Sequence, residues 1–349
     1  MKIRNTITAG LSLAMALALA TPKLEAQAKH QNAVIDIWAA GKPVFGVYAT
    51  TEGQPLPGQP AAQRGGGGGR GAAPAAGQRG GAPNPDQIRQ QITQLQQQLQ
   101  QIEAGGNRGQ ANAQPKRADL GYSKAVGEAL GKNPLYDFVF LNLEGEFSIE
   151  AVKNMADGLK AQAATGRKTL VVRIPSIHDA GADKTKATVK AAFDNGADAV
   201  TLPHIQNLEQ ARMATSFFAA AVGAANVWSP KNPSGEKLGM IMVEDPGSLM
   251  QIKEIADLPG YSIMACGIGS MGGAIRETFG DGAAAMANQL ADIATLKILE
   301  ESKRVKVANM LTAGPNDVVN RVNQGFTALL MSGPTADAAI KLGRLAAGR

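Results

Sequence analysis

Arg173, Glu244, Glu144 and His204 each stand where an apolar run gives way to polar residues. An ionisable side chain placed there must find a partner or a task. Arg173 closes the run in VVRIP. Its guanidinium fork matches a carboxylate in two parallel hydrogen bonds, so it reads as a clamp for a substrate carboxylate. The alternative is an internal bridge to Glu144 or Glu244. Glu244 follows the apolar run in IMVEDP and is suited to holding a hard divalent cation, a task that usually takes a second carboxylate and water. The alternative is a salt bridge to Arg173. Asp245, followed by Pro246, is the better helix cap of the pair. His204 in TLPHIQN is a candidate general base, or else an incidental polar residue at the rim. Glu144 and Glu146 follow FVFLNL, and either could supply a further carboxylate.

Further along, Gly267-Ile268-Gly269-Ser270 could present backbone N–H groups to an anion, with Gly269 and Ser270 touching substrate; the simpler reading is a tight turn. Asn142, Asn309 and Thr312 complete the polar residues near the ends of apolar runs. The other two of the three histidines, His30 and His178, lie near the start of the expected mature chain and in a polar loop. Cys266 is the single cysteine, which excludes an internal disulfide and a cysteine-rich zinc site; it reads as a small buried apolar residue.

The elements that must position these groups alternate. Strand-like runs fall at 44–49, 138–143, 169–173, 199–202, 239–243, 262–266, 305–309 and 327–331. Helical runs fall at 124–130, 148–161, 184–195, 208–221, 248–256, 283–301, 317–324 and 335–345. Eight apolar strands, each followed by a helix, predict an α/β fold with a parallel sheet closed into a (β/α)8 TIM barrel, an open doubly wound sheet being the runner-up. In a barrel the candidates above fall at strand C-termini, the face that carries chemistry.

Composition bounds the rest. Of the 349 residues, 1–28 have the three parts of an export leader: Lys2 and Arg4, an apolar stretch from Ile7 to Ala20, and the small-x-small site Ala26-Gln27-Ala28. The mature protein is therefore expected to begin near Lys29, to be exported to the periplasm or medium, and to have no membrane span. Residues 52–118 are rich in Gly, Gln, Pro and Ala and form a low-complexity insert after the first strand region, 29–51. Inside it, Ile88, Ile92, Leu95, Leu99 and Ile102 recur at helical spacing, so a Gln-rich helix is expected over 85–103. It reads as a coiled-coil or docking element, or as a frayed helix on a tether. Of the net charge of +6, two charges fall in 1–28 and four in 52–118, so the remainder of the barrel, with 119–349, is neutral. Neutrality, together with 4% aromatic residues, argues against nucleic acid as a partner.

The motifs resemble the HpcH/HpaI aldolase/citrate lyase family, of the class II 2-keto-acid aldolase kind. AAGKPVFGVYAT resembles its opening strand, VVRIP its arginine strand, AAFDNGADAVTLPHIQNLEQAR its D-x-G-A…V-P…N-x-E-x-A-R stretch, MIMVED its V-x-I-E strand and ACGIGSMGG its G-x-G-P-x-D turn. The resemblance implies an oligomeric barrel that takes a small-molecule carboxylate, Mg2+ or Mn2+ as cofactor, and carbon–carbon lyase activity on a 2-oxo acid through a metal-stabilised enolate. It implies Arg173 as the carboxylate- and enolate-binding residue and Glu244 as a metal ligand; His204 and Glu144 stand beside them as catalytic candidates from the reading of the residues above. Asp194 matches an aspartate that orients a catalytic histidine across a subunit interface. There are departures. The family's D-x-E-H segment reads Asn142-Leu143-Glu144-Gly145 here, with glycine in place of histidine, and the second metal aspartate falls near Gly272. Two alternatives stand beside the lyase: a non-catalytic barrel that binds an acidic metabolite or partner, and a lyase-fold enzyme with metal-independent chemistry.

Overall fold

The computed structural model describes residues 30–59, 121–162, 166–280 and 286–349. The expected leader, most of the insert and its Gln-rich helix lie outside the described residues.

Eight strands form one closed, all-parallel barrel in sequence order: β1 (Val44–Tyr48), β2 (Phe138–Asn142), β3 (Thr169–Arg173), β4 (Ala199–Ile205), β5 (Leu238–Val243), β6 (Ile263–Cys266), β7 (Ala308–Thr312) and β8 (Ala328–Met331), with β8 pairing back onto β1. The TIM barrel is the expected fold. Side chains alternate along each strand and sort into two cores. Val44, Phe138, Phe140, Val171, Leu238, Met240, Met242, Ile263, Met310 and Leu330 fill the interior. Phe45, Val47, Val139, Leu141, Leu170, Val172, Ile241, Val243 and Leu329 face the helices. The interior is tightly filled, with a residual void of about 10 Å3. Gly46 makes one of these contacts possible: a Cβ there would lie 2.4 Å from the Phe138 ring.

Helices start where the sequence supplies caps. Ser148 accepts from the Ala151 amide at the head of Ile149–Ala161, and Asn207 accepts from the Gln210 amide at the head of Leu208–Val222. Asp245 caps Pro246–Met250 by accepting from the Gly247 amide at 2.7 Å, as expected.

Three features depart from the sequence reading. The seventh strand is Ala308–Thr312, three residues later than expected. The preceding helix runs on to Val305 and ends with Lys306 in the left-handed region, so the β-branched Val305 and Val307 do not begin the strand. The helix Ala33–Ala39 was not foreseen; it closes the N-terminal end of the barrel with Val34 and Ile35, while Trp38 lies 5.5 Å from Trp228 and donates to the Thr327 carbonyl at 2.8 Å. The third is the segment after β6. It is not a turn but the start of the helix Ile268–Phe279.

The chain on either side of residues 60–120 meets at the C-terminal face. The Glu52 amide donates to the Gly121 carbonyl at 2.7 Å, and the Gly58 amide donates to the Gly333 carbonyl just beyond β8. Among the described residues, no helix is long and apolar enough to cross a membrane.

The Gly46 contact gives the first test. Gly46→Ala is expected to lower stability by about 1–3 kcal/mol through overpacking against Phe138, measured by urea unfolding. A neutral effect would show that the interior has room the structure does not.

Candidate active site

The period of two that sorts the cores also aims the site. Arg173 shares the inward face of β3 with Thr169 and Val171, and Tyr48 shares that of β1 with Val44 and Gly46. Glu244 follows inward Met242 at the same parity, and Glu144 follows Asn142, whose Oδ1 accepts from the Glu144 amide at 3.2 Å and fixes the turn. All of these groups therefore meet at the C-terminal mouth.

There Arg173, buried at its strand end, is the hub. Its Nη2 donates to Glu144 Oε1 at 2.8 Å and to Glu244 Oε2 at 3.2 Å. The internal bridge is thus what Arg173 makes; as a clamp for an external carboxylate it has only its remaining donors, and Nε is buried without a partner. Glu244 is fully buried. One of its oxygens faces Arg173. The other, Oε1, has no hydrogen-bond partner and packs against Gly267, where a Cβ would lie 2.1 Å from it. Glycine at 267 is what leaves room for that carboxylate.

His204 reaches the cluster through an irregular backbone. Pro203 has no N–H to give the ladder, the β4–β5 register shifts between Leu202 and Ile205, and His204 takes φ +50°. Its amide donates to Glu244 Oε2 at 3.3 Å instead of to a strand. Its ring places Nε2 at 2.7 Å from Glu144 Oε1 and Nδ1 at 3.6 Å from Glu244 Oε2. The hydrogen bond to Glu144, reinforced by the charge of both carboxylates, raises the His204 pKa against the opposing effects of burial and Arg173. With the proton on Nε2, the ring donates to Glu144. The 3.3 Å approach of Arg173 Nη2 to the same nitrogen is then two donors sharing one acceptor, not a bond between them. His204 was read as a candidate general base; the raised pKa favours its protonated form, in which it can donate a proton.

The remaining candidates separate. Glu146 is exposed, so Glu144 supplies the carboxylate. Ser270 Oγ lies on the same side of Gly267 as Glu244 Oε1, and Gly269 is exposed in the first turn of Ile268–Phe279, a turn with no side-chain cap. Thr312 ends β7 in the mouth. Asn309 does not reach it: it is buried near the strand's start, where its Oδ1 accepts from the Thr327 amide at 2.9 Å. Asp194 ends Ala182–Asp194, is exposed, and pairs with Lys190 at 2.6 Å. Cys266 is buried, its thiol pushed up to about 12 chiefly by burial. The sequence reading missed Tyr48. Its ring packs edge-on to Phe140 at 5.2 Å; burial raises its pKa, while neighbouring Thr312 and Arg173 act to lower it. The period-two pattern Val44, Gly46, Tyr48 was the available signal.

Divalent-cation binding can be tested against this donor set. Among the described residues, no group of three His, Cys, Asp or Glu side chains is arranged to hold a metal ion. Residues 267–273 carry no carboxylate. Glu144 Oε1 and Glu244 Oε2 are already bridged by the guanidinium, leaving Glu244 Oε1, buried beside Gly267, and Glu144 Oε2 on a partly exposed side chain. A hard divalent cation is held by one or two carboxylates with waters; here a guanidinium already lies between the two carboxylates and no third acid stands with them among the described residues, so the set does not fit the Mg2+ or Mn2+ expected at Glu244.

Fold and site together define a (β/α)8 barrel with a quartet of ionisable side chains, Arg173, His204, Glu144 and Glu244, at its C-terminal mouth. Structural neighbours of this barrel include HpcH/HpaI aldolase/citrate lyase family proteins. One from Burkholderia cenocepacia J2315 is 19% identical, with a TM-score of 0.47 over 61% of this chain and 85% of its own. An HpcH/HpaI aldolase from Desulfitobacterium hafniense DCB-2 is 15% identical, with a TM-score of 0.48 over 85% and 89%. A citrate lyase beta subunit from M. tuberculosis, complexed with oxaloacetate and magnesium, is 16% identical, with a TM-score of 0.41 over 60% and 88%. No protein-family model and no curated protein sequence matches the chain.

The raised His204 pKa has a definite sign. The unfolded chain loses this proton near ~6.5, the folded protein at higher pH. The stabilisation is complete below ~6.5 and is lost as pH rises through the folded value. Melting temperatures of the wild type are expected to fall across this alkaline window, and His204→Gln to flatten that part of the profile. Parallel profiles would show that His204 is not held as an imidazolium.

Proposed function

We propose that the protein is a carbon–carbon lyase that cleaves a carboxylated 4-hydroxy-2-oxo acid to a 2-oxo acid and an aldehyde. The observation that carries this reading is the juxtaposition of a carboxylate (Glu144), a histidine ring (His204) and a guanidinium (Arg173) within hydrogen-bond reach of one another at the barrel mouth. The motif resemblance supports the same class.

The chemistry needs a base for the hydroxyl, a positive environment for the charge that develops on the oxo oxygen, and an acid to quench the carbanion. Glu144 takes the proton from the 4-hydroxyl. The C3–C4 bond breaks, the hydroxyl-bearing carbon leaves as the aldehyde, and the electron pair forms the C2–C3 double bond of an enolate. The proton is then delivered to C3, through Glu144 and His204, to give the 2-oxo acid. Arg173 and the His204 imidazolium face the enolate oxygen and the substrate carboxylate. The amides opening Ile268–Phe279 and the Tyr48 hydroxyl lie around the same mouth as further donors. The reading includes export, on the strength of residues 1–28, and oligomerisation, on the strength of the resemblance.

The test is pyruvate release from 4-hydroxy-2-oxo acids, followed with a coupled lactate dehydrogenase. Arg173→Lys is expected to lower kcat by about 10²–10³-fold and His204→Gln by about 10²–10⁴-fold, the latter with loss of the alkaline limb of the pH–rate profile. Folded wild-type protein that neither turns over such substrates nor binds pyruvate would refute the proposal and leave the non-catalytic binder.

A further inference from the structure

We infer that the Arg173 guanidinium occupies the place of a divalent cation between Glu144 and Glu244, so that the site binds and polarises its oxo-acid ligand without a metal. The inference deepens the lyase reading and rests on it.

Three observations carry it. The first is position. Arg173 Nη2 bridges an oxygen of each carboxylate, at 2.8 Å and 3.2 Å, the arrangement a shared cation would make at shorter range. The side chain has little freedom to leave: it is buried, and it projects inward from the last residue of β3. The second is the donor set. After Arg173 and the His204 amide have taken Glu244 Oε2, and Arg173 and the His204 ring have taken Glu144 Oε1, one oxygen of each carboxylate is left, and that of Glu244, Oε1, is buried against Gly267. The β6 segment that would complete a cation site offers Gly267, Gly269, Gly272 and Gly273, with Ser270 as its only polar side chain. The third is charge. Two carboxylates face one guanidinium, which carries its charge permanently. A divalent cation added there would stand within a few ångströms of that fixed positive group, where like charges repel strongly.

The guanidinium can do what such a cation would do for this reaction, because it presents fixed, permanent positive charge with donors left over. Its Nε–H is buried without a partner in the protein. Bound oxo acid would draw on the donors that face away from Glu144 and Glu244.

The test separates this inference from the lyase reading. Wild-type protein is titrated with Mn2+ by electron paramagnetic resonance, and its binding of pyruvate is measured by calorimetry with and without EDTA. No saturable Mn2+ site, and pyruvate affinity unchanged by EDTA, are expected. Arg173→Gln, which removes the charge and leaves both carboxylates, is expected to gain a saturable Mn2+ site at least about tenfold tighter than any wild-type binding; Arg173→Lys, which keeps the charge, is expected not to. A saturable Mn2+ site in the wild type, EDTA-sensitive pyruvate binding, or no gain of Mn2+ binding in folded Arg173→Gln would each overturn the inference. Should Arg173→Gln not fold, the wild-type titrations decide. Absence of pyruvate binding in every condition would count against the lyase reading instead, and the Mn2+ titration would still decide this one.

Discussion

The buried contact between Arg173 and Glu244 is the constraint around which the mouth of the barrel is built. A fully buried carboxylate without a counter-charge would be far too costly to keep ionised, and a guanidinium stranded at the end of an apolar strand would fare no better. Each is tolerable because the other is there. The pair then dictates its surroundings. Gly267 leaves room for the second oxygen of Glu244, the amide of His204 leaves its ladder to serve the first, and Glu144 supplies a second acceptor for Arg173 Nη2. Removing one partner from such a buried pair typically costs ~3–5 kcal/mol, more than replacing both with apolar groups.

The barrel supplies this geometry through simple alternation. Parallel strands aligned in register put every second residue inside, and the last inward position on each strand belongs to the mouth. Tyr48, Asn142, Arg173 and Thr312 hold those places on β1, β2, β3 and β7. Glu144 and Glu244 extend the pattern one step past their strands. Below them the interior is hydrocarbon, which lowers the local dielectric under the charged layer and strengthens each contact within it.

Much of this was legible in the sequence. Apolar runs spaced by amphipathic stretches gave the eight-fold alternation, because buried parallel strands and one-sided helices leave different periods. Arg173, Glu144, His204 and Glu244 were visible as charge at the ends of those runs. What was not legible depended on contacts between distant residues. No local pattern distinguishes an arginine that clamps a ligand from one that bridges two carboxylates. The raised pKa of His204 comes first from its hydrogen bond to Glu144, sixty residues away in the chain. The seventh strand was misplaced because Val305 and Val307 favour extended structure on their own, whereas the helix before them ran on to satisfy its packing. The helix Ala33–Ala39 is too short to announce itself by period, and it exists because the barrel floor needs Val34 and Ile35.

That floor has a consequence for traffic. With the Ala33–Ala39 helix and the Trp38–Trp228 pair across one end, and a filled interior behind them, the barrel is a cup and not a tunnel. Whatever enters by the polar rim must leave by it. In a cleavage that yields one neutral and one anionic fragment, the neutral piece has no ion pair detaining it, while the anion departs against the pull of the guanidinium. The order of departure is thereby set by electrostatics at a single doorway, and run in reverse the same doorway admits the anion first.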